Sequence, residues 1–269
     1  MLKPEMQARS PHPDWIVPAW PAPANVRALC TTRQGGVSPS PYDSLNLGLH
    51  VADDAALVHL NRRRLADAVG GRTVFLNQVH GSHCLALDAH TPDGAVADAC
   101  IAAAPGVVCT IMVADCLPVL LTTADGRQVA AAHAGWRGLV GEGGRGVLET
   151  TLESLRALAH VESARAAPEI IAWLGPCIGP QTFEVGAEVR SAFVAALPAA
   201  AEFFAPQPGG KWLANLPGLA RQRLQAAGVS SIWGNDGSTA WCTVSNPLRF
   251  FSHRRDRVSG RQAACIWLE

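Results

Sequence analysis

One segment near the middle of the chain, GVVCTIMVADCLPVLLTTADGRQVAAAHAG (106–135), constrains the fold more than any other. Apolar runs of strand length follow one another with short breaks, and ADGR (124–127) has the composition of a tight turn between two of them. The segment predicts three consecutive buried strands with no helix between them. A doubly wound parallel sheet needs a crossover between neighbouring strands, so the pattern argues for α+β.

Around this centre, helical and extended patterns are mixed. DDAALVHLNRRRLADAVGG (53–71) opens on Asp, places Leu57, Leu60 and Leu65 near helical spacing and closes on glycines, which predicts a helix. RTVFLNQVHG (72–81) reads as a strand running into a turn. EIIAWLG (169–175), SIWG (231–234) and AACIWLE (263–269) read as further strands. Helices are expected at about 144–159, with Leu148, Leu152 and Leu155 on one face, and over LANLPGLARQRLQAAG (213–228). No repeat or composition shift marks a boundary. The expectation is an α+β, single-domain sandwich of mixed sheets with flanking helices over 26–269. A Pro-rich N-terminal arm, 1–25, precedes it and reads as extended.

Composition excludes several classes of function. The 269 residues, 48% of them hydrophobic, are ample for a buried core. Lys plus Arg and Asp plus Glu balance at 22 each, so the chain has no electrostatic footprint for nucleic acid. No apolar stretch approaches a membrane span, and the proline-broken start is no signal peptide. A cytoplasmic location is therefore expected, with the eight cysteines reduced. None forms a C-x-x-C pair, which removes the zinc-ribbon and thioredoxin readings. No G-x-G-x-x-G or P-loop follows a strand.

His80, Cys116 and His133 each fall at or just past the end of a predicted strand, where a sheet protein presents polar groups. Two histidines and a cysteine form a recognised catalytic zinc set with an open fourth position. Separations of 36 and 17 residues do not prove it, and packing in the core is the alternative for each residue. Asp115 precedes Cys116 in an apolar context, where a carboxylate needs a partner; orienting a ligand histidine or capping a turn are its two readings. Arg137, in HAGWRG (133–138), stands just before an expected helix and suits an anion grip, or a surface salt bridge. Arg33 precedes two glycines in TTRQGGVS (31–38). FFSHRRD (250–256) groups Ser252, His253, Arg254 and Arg255, and reads by itself as a solvated turn. Cys177, in WLGPCIGP (173–180), is either a buried turn residue or a lining group.

Together, TTRQGGVS, SLNLG (44–48), NQVHG (77–81), ADCLPVLL (114–121), HAGWRG, GPCIG (175–179) with FEVG (183–186), and FFSHRRD resemble the YfiH-like family. Its members have been described as polyphenol oxidases (laccases), as purine nucleoside phosphorylases with adenosine deaminase activity, and as peptidoglycan editing factors. The motifs keep the family's order over about 27 to 268. The resemblance implies that His80, Cys116 and His133 are metal ligands, and that the fold is akin to the bacterial-toxin deamidase (CNF/YfiH-like) fold. It also implies that Arg33, Asn46 and Arg137 line the pocket.

The residues discriminate among these activities. A conventional multicopper laccase needs a trinuclear cluster and many histidines, typically in H-x-H pairs; the nine histidines here include no such pair. The H-x-E and P-C-x-x-C deaminase signature is also absent. A cysteine hydrolase using Cys116 and His133 competes with zinc for the same side chains. A zinc-dependent purine nucleoside phosphorylase with adenosine deaminase activity is expected, with wall-precursor editing or a copper-dependent polyphenol oxidase as alternatives. The partners are then a purine nucleoside and phosphate, and Zn2+ is the cofactor, with Cu2+ as the alternative ion. Asp115, Arg137 and His253 are the expected catalytic residues. Arg33, Asn46, Gln78, Cys177 and Arg254 are the expected binding residues, in a monomer or homodimer.

Overall fold

The computed structural model describes residues 10–162 and 168–269. In chain order its strands are β1 (Val26–Cys30), β2 (Arg72–Phe75), β3 (Cys84–Ala86), β4 (Ala99–Ala102), β5 (Val107–Val113), β6 (Leu117–Thr123), β7 (Val129–Ala134), β8 (Ile170–Leu174), β9 (Glu184–Val185), β10 (Phe204–Gln207), β11 (Lys211–Ala214), β12 (Ser231–Gly234) and β13 (Gln262–Leu268). The helices are α1 (Ala55–Val69), α2 (Trp136–Val140), α3 (Val147–Glu162), α4 (Ala187–Ala196), α5 (Leu216–Ala226) and α6 (His253–Asp256). A four-stranded sheet runs β1-β13-β5-β2, a six-stranded sheet runs β12-β8-β6-β7-β4-β3, and a small sheet runs β10-β11-β9. Both large sheets mix parallel and antiparallel pairs.

The period-2 alternation of side chains builds four layers from these sheets. On β5, Cys109, Ile111 and Val113 face the six-stranded sheet, while Val108 and Met112 face outward with Leu65 and Val69 of α1. On β6, Leu120 packs between the sheets, while Val119 and Leu121 face Leu148, Leu152 and Leu155 of α3. The order is α1, four-stranded sheet, six-stranded sheet, then α3 with α4 and α5. The α+β expectation therefore holds.

Most long elements fall where periodicity places them. α1 begins after Asp54, whose side chain accepts the Ala56 N–H, and ends at Gly70 with φ 66. Strands β3, β4 and β9–β11 are short, and α4 is Ala-rich without a clear stripe; none was legible. Within the described part of the Pro-rich arm, Trp15 is buried in the core and Ile16 pairs through its backbone with Cys30 of β1. The arm's first nine residues lie outside those described. No described helix is long and apolar enough to cross a membrane.

One topological detail positions the site. Although β5 and β6 are sequence neighbours, they belong to different sheets. Residues 114–116 carry the chain across the sandwich edge, and they include Asp115 and Cys116.

Candidate metal centre and cavity

Cys116 sits at this crossing, immediately before β6. His133 is the penultimate residue of β7, opposite Pro118, and His80 lies in the loop after β2. Their ligand atoms all lie within 4.8 Å of one another. Cys116 Sγ is 3.7 Å from His80 Nε2, and the two imidazole centroids are 4.7 Å apart at 68°. Residues far apart in sequence meet because two strand ends and a loop share one edge.

Asp98, which precedes β4, orients both histidines. Its Oδ1 accepts from His133 Nδ1 at 2.8 Å and from the His80 N–H at 2.9 Å. Its Oδ2 accepts the N–H groups of Gly81 at 2.7 Å and Val79 at 3.2 Å. Burial pushes this carboxyl up, but the His133 hydrogen bond, with the backbone donors, outweighs it and leaves the pKa below its ordinary value. The same donors hold His80 in a left-handed backbone, φ 62, which an L-residue rarely adopts unaided. With Nδ1 occupied, His133 turns its other nitrogen to the cluster, the arrangement seen in carboxylate–histidine–zinc triads.

Cys116 and His133 form a thiolate–imidazolium pair, so a cation binding there would displace the His133 proton. Burial pushes the Cys116 thiol up, but His133 and His80 beside it prevail and bring it down to about 6. For His133, burial acts downward while Cys116 and Asp98 raise it to about 9. A thiolate and two imidazoles are a zinc or copper donor set. The backbone leaves room for an ion: a Cβ at Gly135 would sit 2.9 Å from Cys116 Sγ and 2.9 Å from His80 Cδ2. Gly135→Ala should therefore lower metal affinity on the order of 10-fold or more in a folded protein. Chelator competition measures this, and unchanged affinity would show that Gly135 is not needed for space.

The cluster opens on a cavity of about 570 Å3, within the range of small-molecule sites. Asp115, Gln78, His253 and Arg254 line it. Asp115 adopts φ 89, and its carboxylate accepts from Thr243 Oγ1 and from the Arg254 N–H, both at 2.6 Å. It therefore anchors α6 instead of orienting a ligand histidine; Asp98 does that. Gln78 spends its amide on Met112, accepting the N–H and donating to the carbonyl, each at 2.8 Å. FFSHRRD is not a solvated turn: Ser252 caps α6, which carries His253 and Arg254 to the cavity.

Four expected residues fall outside the cavity wall. Arg33 donates to the carbonyls of Asp43 and Pro247, pairs with the Asp43 carboxylate at 3.1 Å and lies over Phe251. Its cation is spent on the fold. Asn46 is fully buried and braces a loop, accepting the N–H groups of Gly48 and Arg261. Cys177 is buried, its thiol accepts from Asn235, and its backbone pairs with that of Cys242, both cysteines being free thiols. Arg137 is exposed over the Trp136 indole, and Trp136, not Arg137, reaches the cavity.

Sequence reasoning missed Asp98, His50 and Arg261. Asp98 carried no motif, and Arg261 sits in an unremarked turn before β13. His50, at the rim, has its pKa lowered by burial and then by Arg261 and Arg62.

The comparisons agree with this architecture. A family model described as multi-copper polyphenol oxidoreductase laccase matches residues 27–269. The chain is 49% identical over 257 residues to a Pseudomonas aeruginosa protein named a purine nucleoside phosphorylase, covering 95% of this chain and 98% of that one. It is 48% identical over 255 residues to the Escherichia coli purine nucleoside phosphorylase YfiH, covering 94% and 98%. Among solved structures, a Neisseria meningitidis protein superposes with TM-score 0.82 at 43% identity, over 95% of this chain and 99% of that one. YlmD from Geobacillus stearothermophilus superposes with TM-score 0.79 at 32% identity, over 91% and 93%. The fold and site thus define a class of mixed α+β proteins with a His–Cys–His cluster at a sandwich edge. Within that class, the chain belongs to the YfiH family, whose model carries the laccase description.

Proposed function

We propose that the chain is a zinc-dependent purine nucleoside phosphorylase, acting on adenosine, inosine and guanosine, with adenosine deaminase activity at the same site. The observation that carries the reading is the His80–Cys116–His133 cluster at the wall of a nucleoside-sized cavity that also presents carboxylate, imidazole and guanidinium groups. The names of the relatives support the first activity. His80, Cys116 and His133 would hold the ion, which supplies a Lewis acid beside the cavity.

In phosphorolysis, a phosphate oxygen bonds to ribose C1′ as the bond to the purine breaks, and the purine leaves with the electron pair. Positive charge develops on the sugar. Asp115, whose two oxygens accept hydrogen bonds from Thr243 and Arg254, faces that charge from the cavity wall. His253 lines the same cavity and is the better proton donor to the leaving purine. Trp136 and Phe183 supply apolar wall for the base. Deamination replaces the adenine amino group with oxygen from water and releases ammonia.

A four-electron copper oxidase needs a second metal site. Among the described residues, His80, Cys116 and His133 form the one group of such side chains close enough to share an ion. The deciding experiment incubates metal-defined protein with adenosine, with and without phosphate. Ribose 1-phosphate only when phosphate is present, and inosine in both cases, are expected. Absence of ribose 1-phosphate would remove the reading in favour of wall-precursor editing, tested with that substrate.

A further inference from the structure

The phosphorolysis reading needs an oxyanion holder, and neither Arg33 nor Arg137 lines the cavity. Arg261 does. It is half-buried and forms no ion pair among the described residues. An unpaired guanidinium withdrawn from water is costly unless an anion compensates it.

The surroundings hold Arg261 in place. Asn46, itself fully buried, accepts its backbone N–H at 2.9 Å. Its Nη1 donates to the carbonyls of Ser259 at 2.9 Å and Gly260 at 3.0 Å. Those contacts use one corner of the guanidinium. The Nε–Nη2 edge has no acceptor among the described residues, and that edge is the one able to grip a phosphate with two parallel hydrogen bonds. Gly48 gives the side chain room: a Cβ there would meet Arg261 Cγ at 2.8 Å and His50 Cε1 at 3.2 Å. Arg254, also on the wall and without an ion pair among the described residues, donates to the Glu184 carbonyl and lies over Phe183.

We propose that Arg261, braced by Asn46 and the Ser259 and Gly260 carbonyls, is the phosphate-binding residue of the cavity, with Arg254 as the second cation. The assignment rests on phosphorolysis for its purpose but not for its test. It also gives Asn46 a role, positioning Arg261 rather than touching substrate.

Calorimetry with inorganic phosphate on the metal-loaded protein tests it directly. Wild-type protein should bind, and Arg261→Gln should weaken binding roughly 10- to 100-fold. The KM for phosphate should rise in parallel, while the KM for nucleoside stays within about threefold. Arg261→Lys should recover only part of the affinity, since an ammonium lacks the planar fork. Gly48→Ala, which displaces the side chain but keeps its charge, should also weaken phosphate; it carries the test if Arg261→Gln does not fold. Arg261-dependent phosphate binding without ribose 1-phosphate release supports the site and removes phosphorolysis. Undiminished phosphate affinity in Arg261→Gln, or none in wild type, overturns the assignment, whatever the products.

Discussion

Cys116→Ala should yield a folded chain that retains no stoichiometric metal and turns over no nucleoside. Folding should survive because Cys116 lies at the half-buried crossing between sheets, and its loss leaves His133 still paired with Asp98 at 2.8 Å. Removing the thiolate leaves two imidazoles, too few for the three-ligand set of catalytic zinc. Loss of a Lewis acid worth several kcal/mol corresponds to on the order of a thousand-fold in rate, or more. A cysteine nucleophile would give the same inactive variant, so His80→Ala is the discriminating partner. Metal chemistry requires His80, whereas a Cys116–His133 hydrolase would keep most activity without it. Elemental analysis and product formation are measured together. Stoichiometric zinc in Cys116→Ala, or active metal-free His80→Ala, would each sink the metal reading.

Periodicity singled out His80, Cys116 and His133 as residues at or just past strand ends, but their spacing did not prove a shared site; the resemblance to the YfiH-like family implied it, and the structure brings the three together. What periodicity cannot show is which sheet a strand joins. The run 106–135 looks like one meander, yet β5 and β6 separate into opposed sheets, and that separation puts Cys116 at an edge facing His80. The pairing of β5 with β2 and β13 is long-range, and nothing local announces it.

The arginines show the same limit more sharply. Arg33 and Arg137 stand beside glycines, which is what an anion site looks like locally. The fold instead gives Arg33 to Asp43 and Pro247 and leaves Arg137 exposed on Trp136. Arg261, with no motif around it, faces the cavity because Asn46 reaches it across 215 positions of chain. The charge was visible in the sequence; its partner was not. For an arginine, the partner decides the role.

Asp98→Ala should weaken metal binding and destabilise the fold together, because one carboxylate serves both. It is 1% exposed and receives His133 Nδ1 with three backbone N–H groups, from Val79, His80 and Gly81. Deleting it strands the buried His133 Nδ1–H, while the N–H groups of Val79, His80 and Gly81, on residues that reach solvent, can turn to water, so a loss of roughly 1–3 kcal/mol is expected. It also frees His80 from its left-handed backbone and lets the His133 ring turn, which should cost metal affinity at least about 10- to 100-fold. Asp98→Asn separates the two effects. Its amide oxygen can still accept on one side, but its NH2 meets further donors on the other, and the negative charge that supports His133 is gone. It should melt between wild type and Asp98→Ala, with metal affinity reduced in both variants. Thermal melts of metal-free protein and chelator competition on metal-loaded protein read the two effects separately. If Asp98→Ala melts low yet binds metal with wild-type affinity once folded, the carboxylate supports the loop alone, and His133 is oriented by β7.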